Sequence, residues 1–378
     1  MVHYVLGDIV TEISERENNP SNSSYERFVG LEHYVSGEVE IENYGSTSNL
    51  NSAMKVFKSG DILVARRNVY LKRASVVYFD GLTSGDSIVL RPKDETIGRI
   101  LPFILNTDDF WNYADQHSDG TMSKRLSPKV LKKYEFDLPE ENLEQFADTL
   151  WAMVDVKKSY QKLLKQTDEL VKSQFIEMFG RPGYDDRGWG LTTLGECCEL
   201  NPRRAQGIDD ELEVSFLAMP SVSEDGHMDT KVIRPYSEVK KGFTYFAEKD
   251  VLFAKITPCM ENGKGAVAEG LSNGIGAGST EFHVLRPIPQ KSNSYWLYII
   301  TMFEAFRINA RKVMTGTGGQ LRVPISYLKD YPITLPPIEL QNEFETFYRQ
   351  SDKSKFELKQ AIEGVDVLIK SLIQQELN

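Results

Sequence analysis

Cysteine is scarce in this sequence, and no residues are spaced like the ligands of a metal ion. The three cysteines, Cys197, Cys198 and Cys259, include no Cys-x-x-Cys pair, and an odd number cannot pair fully into disulfides. The five histidines are scattered, with no two at ligand spacing. These absences exclude a disulfide scaffold. They favour a reduced, cytoplasmic protein without a metal or cofactor of its own.

Long apolar runs and an excess of positive charge are also missing. The first residues, MVHYVLGDIVTEISE, have neither a basic n-region nor a long apolar h-region, so we expect no signal peptide and no membrane-spanning helix. The formal net charge is −11 at pH 7. DNA-binding domains usually carry a basic surface. Net charge is a sum, however, and a basic cleft can lie on an acidic protein.

Sequence motifs that support catalysis are absent as well. The glycine cluster GIGAGS at 274–279 lacks the Gly-x-Gly-x-x-Gly spacing, and ENGKGA at 261–266 lacks the pattern of a phosphate loop. The Pro-Pro pair at 336–337 lies between leucine and isoleucine, unlike the Asx-Pro-Pro-aromatic motif of amino-methyltransferases. Glu357 and Lys359 have a nuclease-like spacing but fall in a predicted helix, where a solvated face explains them. We therefore expect a protein that is not an enzyme.

The sequence does contain a long internal repeat. LGDIVTEISERENN begins at Leu6 and LGECCELNPRRAQ at Leu194, 188 residues later. FKSGDILVARR is matched by FAEKDVLFAKI, in which Asp250 follows Asp61 by 189 residues, and IVLRP is matched by HVLRP 195 residues later. The offset grows slowly to 198 at the ends of the two halves. The chain is thus one sequence of about 190 residues used twice, which fits the two domains expected from its length.

Each half has the same predicted order of elements. Strands bounded by turns come first, then helical segments, a glycine-containing loop, a short helix, a strand, one or two prolines and a long helix. The predicted strands are DILVARR, ASVVYFD and SIVLRP in the first half, and DVLFAKI, KGAVAEG and EFHVLRP in the second. The expected fold class is α+β. Two similar mixed α/β domains in a pseudo-two-fold arrangement are separated by two long antiparallel coiled-coil helices.

The two long helices are predicted from apolar residues at heptad spacing. In the first helix these residues fall at multiples of seven, and they are Leu143, Leu150, Leu164, Val171 and Met178. The second helix begins near Leu340, and its apolar series ends at Val365, Leu368 and Leu372. Neither helix can bury its stripe alone, so we expect them to pair. The predicted parts are a globular domain at 1–139, a spacer helix at 140–180, a second globular domain at 181–337 and a spacer helix at 338–378.

Hydrogen-bond donors cluster at two equivalent places in each half. Arginine, lysine, asparagine and glutamine read base edges, while serine and threonine position phosphates. Exposed turns are polar in any protein, so no single cluster is informative, but recurrence in both halves favours nucleic-acid binding. The candidate residues are Arg66, Arg67, Asn68, Lys72, Arg73, Thr121, Lys124 and Arg125 in the first half, and Lys255, Thr257, Asn262, Lys264, Thr317, Gln320 and Arg322 in the second.

Two segments resemble those of a known family. TGTGGQLRVPISYLKDYPITLPPIELQNEF, at 315–344, is similar to the segment that closes a target recognition domain in the specificity (S) subunits of type I restriction–modification enzymes, the HsdS family. DELVKSQFIEMFG, at 168–180, resembles the end of their central spacer helix. The order of domains and helices fits over the whole chain. The first half departs from the family pattern, since SDGTMSKRLSP stands where the second half has TGTGGQLRVP.

The resemblance implies a function. Each globular domain is then a target recognition domain that reads one half of a split, asymmetric site in double-stranded DNA, and the helix pair fixes the gap between the halves. The helices dock two methyltransferase (M) subunits, and complexes that cut DNA add two restriction (R) subunits. S-adenosylmethionine, Mg²⁺ and ATP are expected on those partners. From the residues alone, two other functions stay open: a non-catalytic coiled-coil scaffold that binds proteins, and a self-contained endonuclease, against which the missing motifs count.

Overall fold

A computed structural model describes residues 1–120 and 124–377, and the contacts among them divide the chain into two units. Unit 1 consists of Met1–Gln161 with Gln360–Asn378, and unit 2 of Lys162–Lys359. Each unit combines strands and helices, which confirms the predicted α+β class. Each also contains part of both long helices, and the predicted division into recognition domains and spacers stays a prediction. None of the helices in the described ranges has the apolar stretch that a membrane span requires.

Unit 1 begins with strands and continues with helices, as the sequence predicts. Its strands, β1 to β11, are Val2–Val5, Val10–Ile13, Arg16–Glu17, Arg27–Val29, Gly45–Ser46, Met54–Phe57, Ile62–Ala65, Ala74–Val76, Gly81–Thr83, Ser87–Pro92 and Glu135–Leu138. Its shorter helices, α1 to α4, are Leu6–Ile9, Glu95–Ile104, Asp108–Gln116 and Pro128–Leu131. Single 3₁₀ turns cover Pro20–Asn22, Leu31–His33 and Val69–Leu71. The first long helix, α5, is Leu143–Phe179.

Unit 2 repeats this order. Its strands, β12 to β23, are Leu191–Thr193, Cys198–Leu200, Glu213–Leu217, Ile233–Pro235, Thr244–Ala247, Val251–Ala254, Gly265–Val267, Ile275–Gly278, Phe282–Pro287, Thr315–Thr317, Gln320–Arg322 and Pro332–Thr334. Its shorter helices, α6 to α10, are Leu194–Cys197, Tyr236–Val239, Ser294–Met302, Glu304–Lys312 and Ile325–Asp330. Met219–Ser221 and Ser272–Gly274 form 3₁₀ turns, and the second long helix, α11, is Ile338–Leu377.

The sheets of the two units share a core topology. The antiparallel order β2-β10-β7-β8 in unit 1 is matched by β13-β20-β17-β18 in unit 2. In a second sheet, β9 lies between parallel β4 and antiparallel β6, just as β19 lies between parallel β14 and antiparallel β16. The first strand of each unit pairs with its last, β1 with β11 and β12 with β23. The repeat in the sequence is therefore a repeat of the fold.

The central strands of the antiparallel sheets have both faces covered. Every residue of β7 and β17 is buried, which explains why both read as continuous apolar runs instead of alternating ones. The helices that follow β10 and β20 supply part of the covering. Phe103 and Phe110 belong to the core of unit 1, and Trp296 and Phe306 to that of unit 2. Burial of these large side chains is the main stabilising contribution to each unit.

A buried carboxylate holds the same corner of each sheet. Asp61 and Asp250 are each 1% exposed. Asp61 accepts two hydrogen bonds from Arg91, at 2.7 and 2.8 Å, and Asp250 accepts two from Arg286, at 2.8 and 2.7 Å. Each carboxylate also accepts from a backbone N–H three residues earlier, at 2.8 Å. The repeat thus preserves a paired charge inside the fold, where an unpaired one would be costly.

Helices α5 and α11 run antiparallel. In unit 1 Val154 of α5 belongs to the same core as Ile373 of α11, and in unit 2 the rings of Phe175 and Phe344 pack with centroids 5.4 Å apart. The predicted apolar seam is wrong at Leu368, which is 57% exposed. The reason is helical geometry, since one residue corresponds to about 100° of rotation. Ile369 and Ile373 pack against the core of unit 1 in that stretch, together with Leu372 of the predicted seam and Leu377.

Candidate nucleic-acid interface

The two predicted donor clusters of unit 1 meet in the fold. The backbones of Arg67 and Arg125 pair in an isolated antiparallel β-bridge. The Asn68 backbone N–H donates to the carbonyl of Lys124 at 3.0 Å, and the Leu126 N–H donates to the carbonyl of Arg66 at 2.8 Å. Residues that are far apart in sequence therefore line one edge beyond the end of β7.

Unit 2 has the same arrangement. The backbones of Ile256 and Arg322 form the corresponding β-bridge. The Thr257 N–H donates to the carbonyl of Leu321, and the Val323 N–H donates to the carbonyl of Lys255, both at 2.9 Å. We call Arg66–Asn68 with Lys124–Arg125 the donor edge of unit 1. The donor edge of unit 2 is Lys255–Thr257 with Leu321–Arg322.

A carboxylate that sequence reasoning missed lies at each donor edge. Asp86 faces both arginines of unit 1, with its Oδ1 3.3 Å from Nε of Arg67 and 3.2 Å from Nη2 of Arg125. In unit 2 the Arg322 guanidinium donates to Glu281 through Nε at 2.9 Å and Nη2 at 2.8 Å. The hydrogen bond from Arg322 lowers the pKa of Glu281, although partial burial opposes the shift.

The repeat itself contained the signal for these carboxylates. Asp86 and Glu281 are 195 residues apart, the same offset as the VLRP segments, and each precedes the equivalent strand. The backbone confirms the equivalence, because the Arg66 N–H donates to the carbonyl of Asp86 and the Lys255 N–H to that of Glu281, both at 2.9 Å. A search for donors alone overlooks acceptors that orient those donors.

Each donor edge has a second cation, Arg66 in unit 1 and Lys255 in unit 2, that forms no ion pair with the carboxylate of its edge. The Arg66 Nε is buried and has no hydrogen-bond partner among the described residues. The Lys255 ammonium likewise makes no direct hydrogen bond or ion pair within the described ranges. Burial lowers the pKa of Lys255, Glu281 acts in the opposite direction, and Arg322 adds to the lowering. Half-buried cations of this kind are well placed to meet an anion.

Lys255 lines a cavity of about 510 Å³ on unit 2. Arg203 and Arg204 also line it, together with Thr244 and Tyr245. Arg204 donates to the carbonyl of Phe243 at 3.0 Å. Sequence reasoning quoted NPRRAQ only as part of the repeat and missed this Arg-Arg pair. The pair, directly after β13, was a visible signal for a cationic cavity.

Other predicted residues lie around the donor edge of unit 1. Lys72 pairs with Asp108 and Lys124 with Asp115 at 2.6 Å, so both ammonium groups are held by α3. The guanidinium of Arg73 donates to the carbonyls of Leu31 and Arg67, each at 3.1 Å, and thus supports the backbone of the edge. The remaining candidate of this unit, Thr121, lies outside the described residues.

The other candidates of unit 2 are spread over two turns. Thr257 donates weakly to the carbonyl of Leu321 at 3.4 Å, and Lys264 to that of Met219 at 3.4 Å. Asn262 is exposed on the turn between them. Thr317 and Gln320 are exposed and face each other across the β21–β22 pair.

The glycine-containing loop predicted before the short helix is a β-hairpin in unit 2, formed by Thr315–Thr317 and Gln320–Arg322. Gly318 and Gly319 have φ of 62° and 77°. Positive φ at both central residues is what a two-residue type I′ turn requires. A Cβ on Gly316 would lie 2.4 Å from the carbonyl oxygen of Gln320. The glycines are thus explained by the hairpin, which holds Gln320 and Arg322 in a defined register.

A buried histidine supports the donor edge of unit 2. The His283 Nε2 lies 2.9 Å from the carbonyl oxygen of Val323. That oxygen can only accept, so Nε2 carries the proton, and Nδ1 can accept from the Asn201 side chain at 3.3 Å. Burial lowers the pKa of His283 to about 4, despite the hydrogen bond to Val323. The residue is therefore neutral near pH 7, and Ile88 occupies the equivalent position in unit 1.

The arrangement is suited to binding anions through oriented hydrogen-bond donors. Arginine and lysine side chains neutralise phosphates and read base edges. Burial raises the pKa of Cys197 to about 11 and of Cys198 to about 12, so both thiols stay protonated at neutral pH. In the part of the chain that the structure describes, no group of three or more His, Cys, Asp or Glu could hold a metal ion.

Curated proteins similar to this chain are type I restriction specificity subunits. Residues 186–364 match the family model of the type I restriction modification DNA specificity domain. The chain is 40% identical over 178 residues to the specificity subunit of the type I restriction enzyme EcoEI and 43% identical over 156 residues to that of EcoAI, both from Escherichia coli. The matches cover 47% and 41% of this chain but 29% and 26% of those proteins. The chain therefore spans less than a third of the curated relatives it matches.

Two solved structures share the fold over 100% of this chain. One, from work on complex assembly and conformational transition of the type I R-M system, is 18% identical, with a TM-score of 0.53 and 97% of its own chain covered. The other is the S subunit of a type I restriction–modification system from M. genitalium, 11% identical, with a TM-score of 0.52 and 96% covered. At these identities the likeness shows the fold alone. Residues 186–364 of the chain are thus similar to the DNA specificity domain of type I restriction–modification systems, and the curated proteins that match it are specificity subunits.

Proposed function

We propose that this chain is the DNA sequence-specificity subunit of a type I restriction–modification complex and is not itself an enzyme. Each unit reads one half of a bipartite, asymmetric site in double-stranded DNA through its donor edge. Helices α5 and α11 set the spacing between the halves. Of the candidate residues named from the sequence, Arg66, Arg67, Asn68, Lys124 and Arg125 belong to the donor edge of unit 1, and Lys255, Thr257 and Arg322 to that of unit 2.

The observation that carries this proposal is the recurrence of the donor edge. The bridge of Arg67 with Arg125 and the bridge of Ile256 with Arg322 form at equivalent places, and each has a carboxylate that orients an arginine. An oriented guanidinium can make the bidentate contact that distinguishes guanine from other bases. The unpaired cation beside it suits a phosphate, which positions the protein without reading sequence.

Exposed apolar side chains on the long helices support docking of protein partners. Val156, Leu163 and Leu170 stand seven residues apart on α5 and are 45%, 47% and 52% exposed. Phe356 and Val367 of α11 are 58% and 65% exposed. Apolar groups exposed in series on a helix mark a binding surface. We assign this surface to two methyltransferase subunits.

The remaining chemistry belongs to partners. The methyltransferase subunits bind S-adenosylmethionine and methylate the DNA, and two restriction subunits, where present, use Mg²⁺ and ATP. This chain needs no cofactor to choose the site, and it works in the cytoplasm, where the DNA is.

Methylation mapping tests the proposal. The chain is co-expressed with its methyltransferase partner, and methylated adenines are located across the genome by single-molecule sequencing. We expect a motif of two short specific halves around a fixed gap, which disappears when the chain is deleted. Methylation that continues unchanged after deletion would mean that the chain does not choose the site.

Salt dependence separates this function from that of a protein-binding scaffold. Contacts with phosphates release counterions, so the logarithm of DNA affinity falls linearly with the logarithm of salt concentration. Peptide binding by a scaffold need not follow that dependence. A chain that binds proteins but shows no salt-sensitive affinity for DNA would favour the scaffold.

A further inference from the structure

The centre of the helix pair is held by charge and not by apolar packing. Between Val154 and Val171 on α5, the buried residue is Lys157, which is 7% exposed. Between Tyr348 and Ile373 on α11, the buried residues are Ser351 and Lys355, and Lys355 is 6% exposed. Apolar side chains are buried only toward the ends of each helix. Another interaction must define how the middle of the pair is aligned.

Each buried lysine contacts a carboxylate of the opposite helix. In unit 1 the Lys157 Nζ lies 2.8 Å from Asp366 of α11 and 2.7 Å from Glu38, which follows a 3₁₀ turn of the globular part. In unit 2 the Lys355 Nζ lies 3.1 Å from Asp168 of α5. These carboxylates are partly exposed, while the side chains of both lysines are less than a tenth exposed.

The two contacts define one register. The numbers of the two partners add to 523 in both pairs, Lys157 with Asp366 and Lys355 with Asp168. Both residues of one pair lie 198 positions from their counterparts in the other, so the repeat preserves the interaction. The pairs are 11 residues apart on each helix, or about 16 Å along the axis at 1.5 Å per residue.

Slippage by one helical turn destroys both contacts. A slip of four residues in one direction brings Lys157 level with Lys370 and Lys355 level with Lys172, which puts like charges together. The opposite slip brings the lysines level with Ile362 and Leu164, which accept no hydrogen bond. In that slip both lysines lose the carboxylate of the opposite helix, and the partners that remain are Glu38 for Lys157 and Asp352, at 3.7 Å, for Lys355. The native register is thus favoured by two ion pairs between the helices, and its neighbours are disfavoured by repulsion or by the loss of those pairs.

We propose that Lys157 and Lys355 are the register clamps of the helix pair: with Asp366 and Asp168 they fix the alignment of α5 against α11, and through it the number of base pairs between the two DNA half-sites. The alignment itself is a property of the helices. Its consequence for the DNA gap rests on the function proposed above.

The first test measures the alignment directly. Spin labels are placed at two exposed positions that are offset along the helix axis by 13 residues, or about 20 Å, as Gln161→Cys on α5 and Gln375→Cys on α11 in the Cys259→Ser background, and their distance is measured by pulsed electron resonance. The clamps are removed with Lys157→Met and Lys355→Met, which remove the charge and keep an unbranched side chain one atom shorter. We expect a single narrow distance with the clamps. Without them we expect a distribution that broadens or shifts by about 5 Å, the pitch of one helical turn.

The matched control is Lys165→Met. Lys165 is exposed on α5 and forms no ion pair among the described residues, so its variant should keep the narrow distance. An unchanged narrow distance in the Lys157→Met, Lys355→Met protein would overturn the proposal. If that protein does not fold, Asp366→Asn with Asp168→Asn removes the clamps from the carboxylate side, and the same two outcomes apply.

Methylation mapping of the same variants tests the consequence for DNA. We expect both half-site sequences to be retained while the gap between them changes or varies by one or two base pairs, because one turn of helix corresponds to about 1.6 base-pair rises. A gap that stays fixed although the spin-label distance shifts would overturn the link from register to spacing. A chain that directs no methylation in any variant would instead contradict the proposed function, while the distance measurement would still report on the clamps.

Discussion

The two units use one backbone frame to display different side chains. At equivalent places unit 1 has Arg66 and Asn68, whereas unit 2 has Lys255 and Thr257. Asp86 faces two arginines, Arg67 and Arg125, whereas Glu281 pairs with one arginine, Arg322.

The difference shows which features each unit needs for its structure. The bridge, the oriented arginine and its carboxylate are kept in both units, as is the buried Asp–Arg pair at the start of β7 and β17. The residues that vary are Arg66 and Asn68 in unit 1 and Lys255 and Thr257 in unit 2, which occupy equivalent places on this frame. A constant frame with different donors fits the proposal that the two units read two different half-sites.

The shared frame is tested by removing its buried carboxylates. We expect Asp61→Ala and Asp250→Ala each to lower the free energy of unfolding by about 4 kcal/mol, because each leaves an arginine and a backbone N–H without their acceptor. Chemical denaturation measures the loss, and hydrogen exchange in β7 and β17 assigns it to a unit. The control is Asp80→Ala, which removes an exposed partner of Lys58 and should cost under about 1 kcal/mol. An Asp250→Ala cost no larger than that of the control would contradict the equivalence.

A difference between the units should appear in their response to acid. His283 has a pKa of about 4 in the folded protein and about 6.5 when unfolded. Between these values the unfolded chain binds more protons, so stability is complete above about pH 6.5 and falls as the pH drops toward 4. The loss amounts to about 3 kcal/mol.

The variant that removes this response is His283→Ile, the residue found at the equivalent place in unit 1. Urea titrations at several pH values compare the slopes of the two proteins. The slope of the variant should be smaller between pH 4 and 6.5, whatever its absolute stability. Equal slopes would show that His283 is not the group that titrates.

The smallest expected effect concerns the oriented arginine. Arg322→Ala should weaken DNA binding by about 2 kcal/mol without unfolding the protein, since it removes a base or phosphate contact and leaves the Glu281 carboxylate to repel phosphates. Glu281→Gln should instead strengthen binding and steepen its dependence on salt. Affinity is measured by fluorescence anisotropy across a range of salt concentrations.

The matched control for that comparison is Arg181→Ala. Arg181 also makes two hydrogen bonds to one carboxylate, that of Asp186, but it lies away from the donor edge in sequence and contacts. Its variant should bind DNA like the unaltered chain. Normal affinity of the Arg322→Ala protein would remove this arginine from the interface.

Much of the fold could be predicted because its signals are local or periodic. The apolar runs around Leu63 and Leu252 predicted buried strands, and heptad spacing predicted α5 and α11. The equivalence of Arg125 and Arg322 followed from the repeat. The prediction from periodicity was wrong at Leu368, which is exposed. With only a few apolar residues in that stretch, the spacing is compatible with more than one choice of the buried face of the helix.

The candidate site could be predicted only in part. Donor-rich segments were visible, but the partners of those donors come from distant parts of the chain. Arg125 meets Asp86 across 39 residues, and Arg322 meets Glu281 across 41. The sequence contains 55 acidic residues, and nothing local distinguishes the two that orient these arginines. Similarly, no pattern distinguished Lys157 and Lys355 from the exposed lysines of the same helices.

The sequence by itself determined the repeat, the order of strands and helices, and the places where hydrogen-bond donors gather. These properties depend on neighbours in the chain, through backbone hydrogen bonding and the period of apolar residues. Only the tertiary structure decided which cations are neutralised, which remain available to a ligand and which hold α5 against α11. Charges interact through space, so their balance is defined only when distant segments have been brought together.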